Sequence, residues 1–434
     1  MILDFKISNY KSFMNDTVFT MVAETSKLKS ANIHRIENSI GEVYRTSKVS
    51  VIYGPNASGK SNLLSALTDF IYYIVNQPIV GSSTKIYKPF FFEMAKFREP
   101  TKYELVFLGP DNIRYEYIVV AGESRIIEEK LSYYPEKRAR SIFKRKSTLK
   151  FANVNEDDKI YDSDEHIVDK KTYSVFSHQL LLSKFGEEPH PLLSRVYLYF
   201  RNKFNLEVCK SNYSEQLRNS AARMLFKDEK LREKVKNLFI VADTKIIDLD
   251  LEEVEDDDQI NYYGIVQKYI KNTRNKKVRV QFGHQVFNGG KEIKAGKGFL
   301  PHDHESKGTQ TLFTIGTNLF NALNKGQILI VDELDSSLHP SITKMLVQLF
   351  LSEKINKNGA QLIFNTHDVT LLDEELFRKD QIWITEKNEM GVSELYSLSD
   401  FDGLREDTPF EKWYMAGKFG GLPAIPNLEK IFAE

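Results

Sequence analysis

Residues 54–61 read GPNASGKS, which fits G-x-x-x-x-G-K-[S/T] with Gly54, Gly59, Lys60 and Ser61 in the fixed places. The residues before it, KVSVIY, are apolar and β-branched. Those after it, NLLSALTDFIYYIV, carry apolar side chains at helical spacing. A strand, a glycine loop and a helix in that order leave few folds open. Glycines let backbone N–H groups curl around phosphate oxygens, and the helix start adds the positive end of its dipole. Gly54, Pro55, Asn56, Ala57, Ser58, Gly59, Lys60, Ser61 and Asn62 are therefore expected to cradle a nucleotide. Lys60 reaches its outer phosphates and Ser61 ligates Mg²⁺.

A second run, ILIVDELD (328–335), is a continuous apolar stretch ending in acids, the pattern of a parallel strand buried on both faces. Asp332 at its end is expected to hold Mg²⁺ through water, and Glu333 to polarise the attacking water. A third apolar run, QLIF, ends in NTHD, where His367 is placed to sense the γ-phosphate.

Around these runs the pattern alternates strand and helix, which predicts an α/β core. Short strands fill the first fifty residues, an antiparallel β-meander is expected over 90–135, and the signal is helical from about 165 to 240. TKIIDLDLEEVED and KKVRVQFGH read as strands, and a helix is expected after Ser306. The domain division expected is 1–150 for an N-terminal ATPase lobe with loop and meander, 151–240 for a helical insertion, and 241–434 for a C-terminal ATPase lobe.

Composition narrows the classes. Sixty basic residues balance sixty acidic ones, so no global field draws the chain to nucleic acid or membrane. Cys209 is the single cysteine, which excludes an internal disulfide and fits a reducing cytoplasm. No run approaches the roughly 18 apolar residues of a membrane span, and the start has no signal-peptide pattern.

The order of loop, Ser306-Lys307-Gly308-Thr309, Asp332-Glu333, Asp335 and His367 resembles that of the ABC-type ATPases, including their SMC branch. The resemblance implies a P-loop NTPase fold with an ABC-type head, ATP and Mg²⁺ as ligands, and ATP hydrolysis. It also implies a trans arrangement. Ser306, Gly308 and Thr309 would grip the γ-phosphate of ATP bound to a second copy, and isologous pairing would make two composite sites. FKISNYKSF, the E-S-x-G-T signature, LDSSLHP and the ending WYMAGKFGGLP are similar to a bacterial group of AAA-like ATPases that accompany abortive infection and other anti-phage systems. Members are often encoded beside a nuclease-like effector, so a separate effector, of Toprim type among others, is implied as partner. In that group Lys11 lies near the nucleotide phosphates or base. The leucine-serine-glycine-glycine form of the signature is absent, and no Q-loop glutamine stands out; Gln77 is weakly placed for it.

The remaining features carry less. The helical span lacks sustained heptads, so it is expected as a short arm that contacts a partner or packs on the dimer. PEKRARSIFKRKSTLK (135–150) carries Lys137, Arg138, Arg140, Lys144, Arg145, Lys146 and Lys150, which would meet DNA phosphates or form a solvated hairpin tip. The basic run 268–280 has the same two readings, and the acidic stretch 249–259 is expected as an exposed loop. His302 and His304 lack the further ligands a zinc site needs. Glu386, Asp400 and Asp402 superficially resemble the acids of nuclease domains fused to such heads, but little sequence follows them. The functional expectation is an ATP-dependent dimer that senses or scaffolds an effector in anti-phage defence. The alternative is an SMC-like ATPase binding DNA in repair or chromosome maintenance.

Overall fold

In the computed structural model the described residues are 1–79, 82–136, 138–146, 163–168, 171–205, 215–242, 244–255, 276–405 and 407–423. The glycine-loop strand, Val49–Tyr53, is buried at every position. It lies inside a six-stranded sheet in the order Phe204–Asn205, Ile328–Val331, Gln361–Asn365, Val49–Tyr53, Ile382–Lys387, Ser393–Ser397. All neighbours are parallel except the last pair. The period of two explains the apolar runs. Ile52, Ile328, Ile330, Ile363 and Trp383 face one core, whereas Val51, Leu329, Val331, Leu362, Phe364 and Ile384 face the other.

The register aligns the strand ends: Val331 pairs with Phe364, and Asn365 with Ile52. Residues 54–59, 332–335 and 365–368 therefore emerge together at the carboxyl edge of the sheet, where open α/β sheets hold their ligands.

The helix after the loop, Lys60–Val75, is roofed by a second, antiparallel six-stranded sheet. That sheet joins Thr17–Thr20 and Ile2–Ser8 to the meander Thr101–Leu108, Arg114–Ala121, Ile126–Tyr134 and Arg140–Lys146. Phe70 of the helix stacks on Tyr103 and Tyr117, with centroids 5.0 and 5.6 Å apart. The meander thus lies about ten residues further along than its expected span, and it is extended by strands from the N-terminus.

The stretch expected as a helical arm is packed instead. Leu193–Lys203 buries Val196 and Phe200 in the core under the meander. Glu215–Lys227 and Glu229–Val241 bury Leu225, Val235 and Phe239 with Leu312 and Phe313 of the helix Lys307–Lys325. Each helix is amphipathic, and the rest of the molecule supplies the cover for its apolar stripe.

A three-stranded antiparallel sheet, Ile246–Glu255, Lys276–Asn288 and Lys291–Pro301, leads into residue 306. Its second turn is Gly289-Gly290, both at positive φ. The part of the acidic stretch that is described, 249–255, is strand rather than loop. It faces the basic strand, with Glu252 3.1 Å from Arg279. Residues 256–275, Cys209, Lys137 and 147–150 lie outside the described residues. Among the described residues no helix is long and apolar enough to cross a membrane.

Candidate functional site

The loop 54–59 is held from behind by the hairpin Ile382–Lys387/Ser393–Ser397. Ser58 Oγ and Thr385 Oγ1 share a hydrogen bond of 2.5 Å, and Ser393 Oγ donates to Ser58 O at 2.5 Å. The N-terminal segment adds a third prop: Ser393 N donates to Ser12 O, and Asn62 Nδ2 donates to Ser12 Oγ at 2.8 Å. Lys60 is folded over the loop, its ammonium donating to Gly54 O at 2.8 Å and Pro55 O at 2.9 Å. Burial lowers its pKa, while Asp332, Glu333 and Asp335 act in the opposite direction. A desolvated ammonium with spare donors is suited to phosphate oxygens.

Ser61 Oγ donates to Asp332 Oδ1 at 2.8 Å, closing a sequence gap of 271 residues. A hydroxyl and a carboxylate converging on one point are hard oxygen donors of the kind Mg²⁺ accepts beside phosphates, so these residues fit that ion. Glu333 follows in a left-handed conformation, φ 56°. The Asn365 carboxamide touches both acids: Nδ2 donates to Asp332 Oδ1, and Oδ1 accepts the Glu333 N–H. Asn365 went unselected in the sequence, although it opens the NTHD run. An amide closing a buried apolar strand was the available signal. The His367 N–H donates to Asp335 Oδ2 at 3.3 Å, and the second oxygen of Asp335 is buried without a hydrogen-bond partner.

Ser306 is the N-cap of the helix Lys307–Lys325. Its Oγ accepts from Thr309 N at 3.2 Å and lies 2.9 Å from Thr309 Oγ1. Thr309 is itself buried. Gly308 sits against Ser337, for a Cβ there would lie 2.7 Å from Ser337 O. Within one chain, then, Gly308 adjoins Ser337 in the turn after Glu333, and no described hydrogen bond joins Ser306 or Gly308 to loop 54–62. Lys11, at φ 46°, donates its N–H to Lys88 O. Burial and then Lys88 lower its ammonium pKa, opposed by Asp69 and Asp332, so it shares the electrostatic surroundings of the acid turn.

A cleft of about 770 Å³ borders the loop, lined among others by Asn56, Ser58, His367, Tyr414, Met415 and Leu422. The C-terminal residues reach it because Tyr414 OH donates to Gly421 O at 2.6 Å and Glu386 accepts the Gly421 N–H. Glu386 is thereby engaged by backbone, and Asp400 caps a turn through Ser397 N. Gln77 is tied to Ser183 O and Gln179. His302 packs with Phe282 and Phe313 beside Asp303.

The basic stretch is largely neutralised. Arg145 and Glu129 form a fully buried pair, both side chains 0% exposed. Glu129 also accepts Tyr117 OH and the N–H groups of Leu181 and Leu182, and Arg145 donates to Gln179 O and Ser177 O. Lys144 and Lys146 lie near Glu128, and Arg140 near Glu136. Arg145 is thus a structural cation, unavailable to a phosphate.

The SMC head domain from Thermotoga maritima aligns over 91% of this chain and 98% of its own, with 13% identity and a TM-score of 0.40. A Smc head domain with an extended coiled coil, bound to the C-terminal domain of ScpA and derived from Pyrococcus furiosus, gives 91%, 96%, 13% and 0.40. The recombination mediator protein RecF gives 91%, 98%, 12% and 0.36. No curated protein matches. One family model, described as "AAA domain, putative AbiEii toxin, Type IV TA system", matches residues 49–373. That span runs from the glycine-loop strand past the acid turn and His367, and the chain belongs to this family of AAA-like P-loop ATPases.

Proposed function

We propose that the chain hydrolyses ATP at composite sites formed by two copies. The observation that carries this reading is the convergence of Lys60, Ser61, Asp332 and Glu333 on the carboxyl edge of one parallel sheet, with Ser61 and Asp332 in contact at 2.8 Å. The loop binds the phosphates, and Lys60 exchanges its loop carbonyls for the outer phosphate oxygens. Ser61 and Asp332 would hold Mg²⁺, which supplies charge neutralisation across the β- and γ-phosphates. Water then adds to the γ-phosphorus as the bond to the bridging oxygen breaks, releasing ADP and phosphate. The Glu333 carboxylate takes the water proton, and His367 hydrogen-bonds the γ-phosphate. Ser306 and Gly308 of the second copy complete the site. In support, Gly308 abuts Ser337 of its own chain, just beyond the acids, and no described hydrogen bond joins Ser306 or Gly308 to their own loop.

Dimer closure and opening would be the output, read by a separate protein partner. The family description places relatives in toxin–antitoxin context, and a role in bacterial defence is the biological reading we favour over DNA maintenance. The buried Arg145 and the paired Lys144 weigh against 135–150 as a DNA surface.

Solution mass and phosphate release, with and without ATP–Mg²⁺, test the proposal on wild type and Glu333→Gln. A general base contributes typically about 10²–10⁴-fold, so the variant should lose that much turnover and accumulate at twice the monomer mass with ATP. Equal turnover in the two proteins, or a mass blind to nucleotide, rejects it.

A further inference from the structure

Asn365 ends the strand Gln361–Asn365 and is fully buried. Beside its pairing with Ile52 in the sheet, both of its side-chain hydrogen bonds lie in the acid turn. Nδ2 donates to Asp332 Oδ1 at 2.5 Å, Oδ1 accepts the Glu333 N–H, and the backbone carbonyl accepts the Leu334 N–H at 3.2 Å. Two residues on, the His367 N–H reaches Asp335. Each residue of 332–335 is thus gripped by the segment 365–367.

The chemistry of the side chain suits the task narrowly. A carboxamide is neutral and carries a donor and an acceptor side by side. Only the orientation with nitrogen toward Asp332 and oxygen toward Glu333 satisfies both neighbours. A carboxylate there would oppose Asp332, and an aliphatic group would leave the Glu333 N–H without its acceptor and Asp332 Oδ1 with the Ser61 hydroxyl as its remaining donor. The Glu333 backbone needs such a clamp. At φ 56° it has left the strand for a conformation that L side chains rarely adopt, and residues so placed persist only when their surroundings over-determine them.

We propose that Asn365 is a positioning residue for hydrolysis. Nδ2 keeps the Asp332 carboxylate turned to Ser61, and Oδ1 holds Glu333 in the turn that presents its side chain. The inference rests on the hydrolysis reading above and adds to it the residue that sets the geometry of both acids.

The test uses the full chain with Asn365→Leu, which removes both polar contacts, and Asn365→Asp, which keeps the acceptor for Glu333 but loses the donor to Asp332. Steady-state kcat and KM for ATP are measured alongside the ATP dissociation constant in EDTA and the thermal midpoint. Residues that orient metal and catalytic groups typically cost about 10–100-fold when changed. Both variants should lose kcat on that scale while ATP binding in EDTA stays within about threefold, because the phosphate cradle is the loop and not the acid turn. Hydrolysis within twofold of wild type in either variant overturns the positioning role. So does a matching loss of ATP binding, which would make Asn365 a general prop of the fold. Failure of the hydrolysis reading looks different: wild type would then bind ATP without turning it over, or Glu333→Gln would hydrolyse at the wild-type rate.

Discussion

At the scale of single residues, Gly54 and Gly59 both adopt positive φ, 144° and 123°, and neither has room for a side chain. A Cβ on Gly54 would lie 2.6 Å from Thr385 Oγ1, and one on Gly59 would lie 2.5 Å from Ser393 Oγ. The structure thus requires both glycines for the close approach of the hairpin behind the loop, in addition to the phosphate access for which the spacing is expected. Arg145 teaches the opposite lesson. Its neighbours in sequence are exposed cations, but alternation along the strand turns it inward onto Glu129. Removing one partner of a buried ion pair typically costs about 3–5 kcal/mol. Arg145→Met should lose stability on that scale in urea denaturation, whereas Lys144→Met, on the exposed face, should stay within about 0.5 kcal/mol.

At the scale of elements, the helix Lys307–Lys325 shows how the short motif proposed to meet a second copy's nucleotide also serves folding. Ser306 caps its start, Gly326 ends it in the left-handed region, and Thr309 is committed to the cap. Gly308 adds a contact between this helix and the turn at Ser337. Gly308→Ala would push that turn away. The expected outcome is ATP binding by the lone chain within about threefold of wild type, with loss of the ATP-dependent doubling of mass; an unchanged doubling would show that the turn can yield. The helices of 193–241 were legible as helices from their amphipathic spacing, but their destination was not. An apolar stripe tells that a helix is covered and says nothing of what covers it. The strand Lys291–Pro301 was missed because KEIKAGKGFLP has no alternation, and its partner strand alone gives it form.

At the scale of the whole molecule, the N-terminal residues are joined to distant ones. Ile2–Ser8 enters the meander sheet, and His34 Nε2, 2.9 Å from Ala360 O, ties the hairpin Ile33–Glu37/Val43–Ser47 to the start of the histidine strand. Burial lowers the His34 pKa from 6.5 to about 4. The folded state thus binds fewer protons than the unfolded state between those values, and stability rises with pH across that window. The thermal midpoint should fall as pH drops from 6.5 toward 4, and His34→Gln should flatten that slope; an equal slope in both proteins would move its origin to another group. Sequence alone determined the parallel α/β core and marked the glycine loop and the two acids that the structure brings to one sheet edge. Each is a contiguous run whose periodicity or spacing carries its own physical reason, and the family match from residue 49 to 373 covers the same runs. The tertiary structure alone decided that Arg145 is buried, that Thr385 and Ser393 support the loop, and that Asn365 grips both acids. These are pairings between residues far apart in the chain, and a buried polar group declares its partner only when the strands that carry both are set in register.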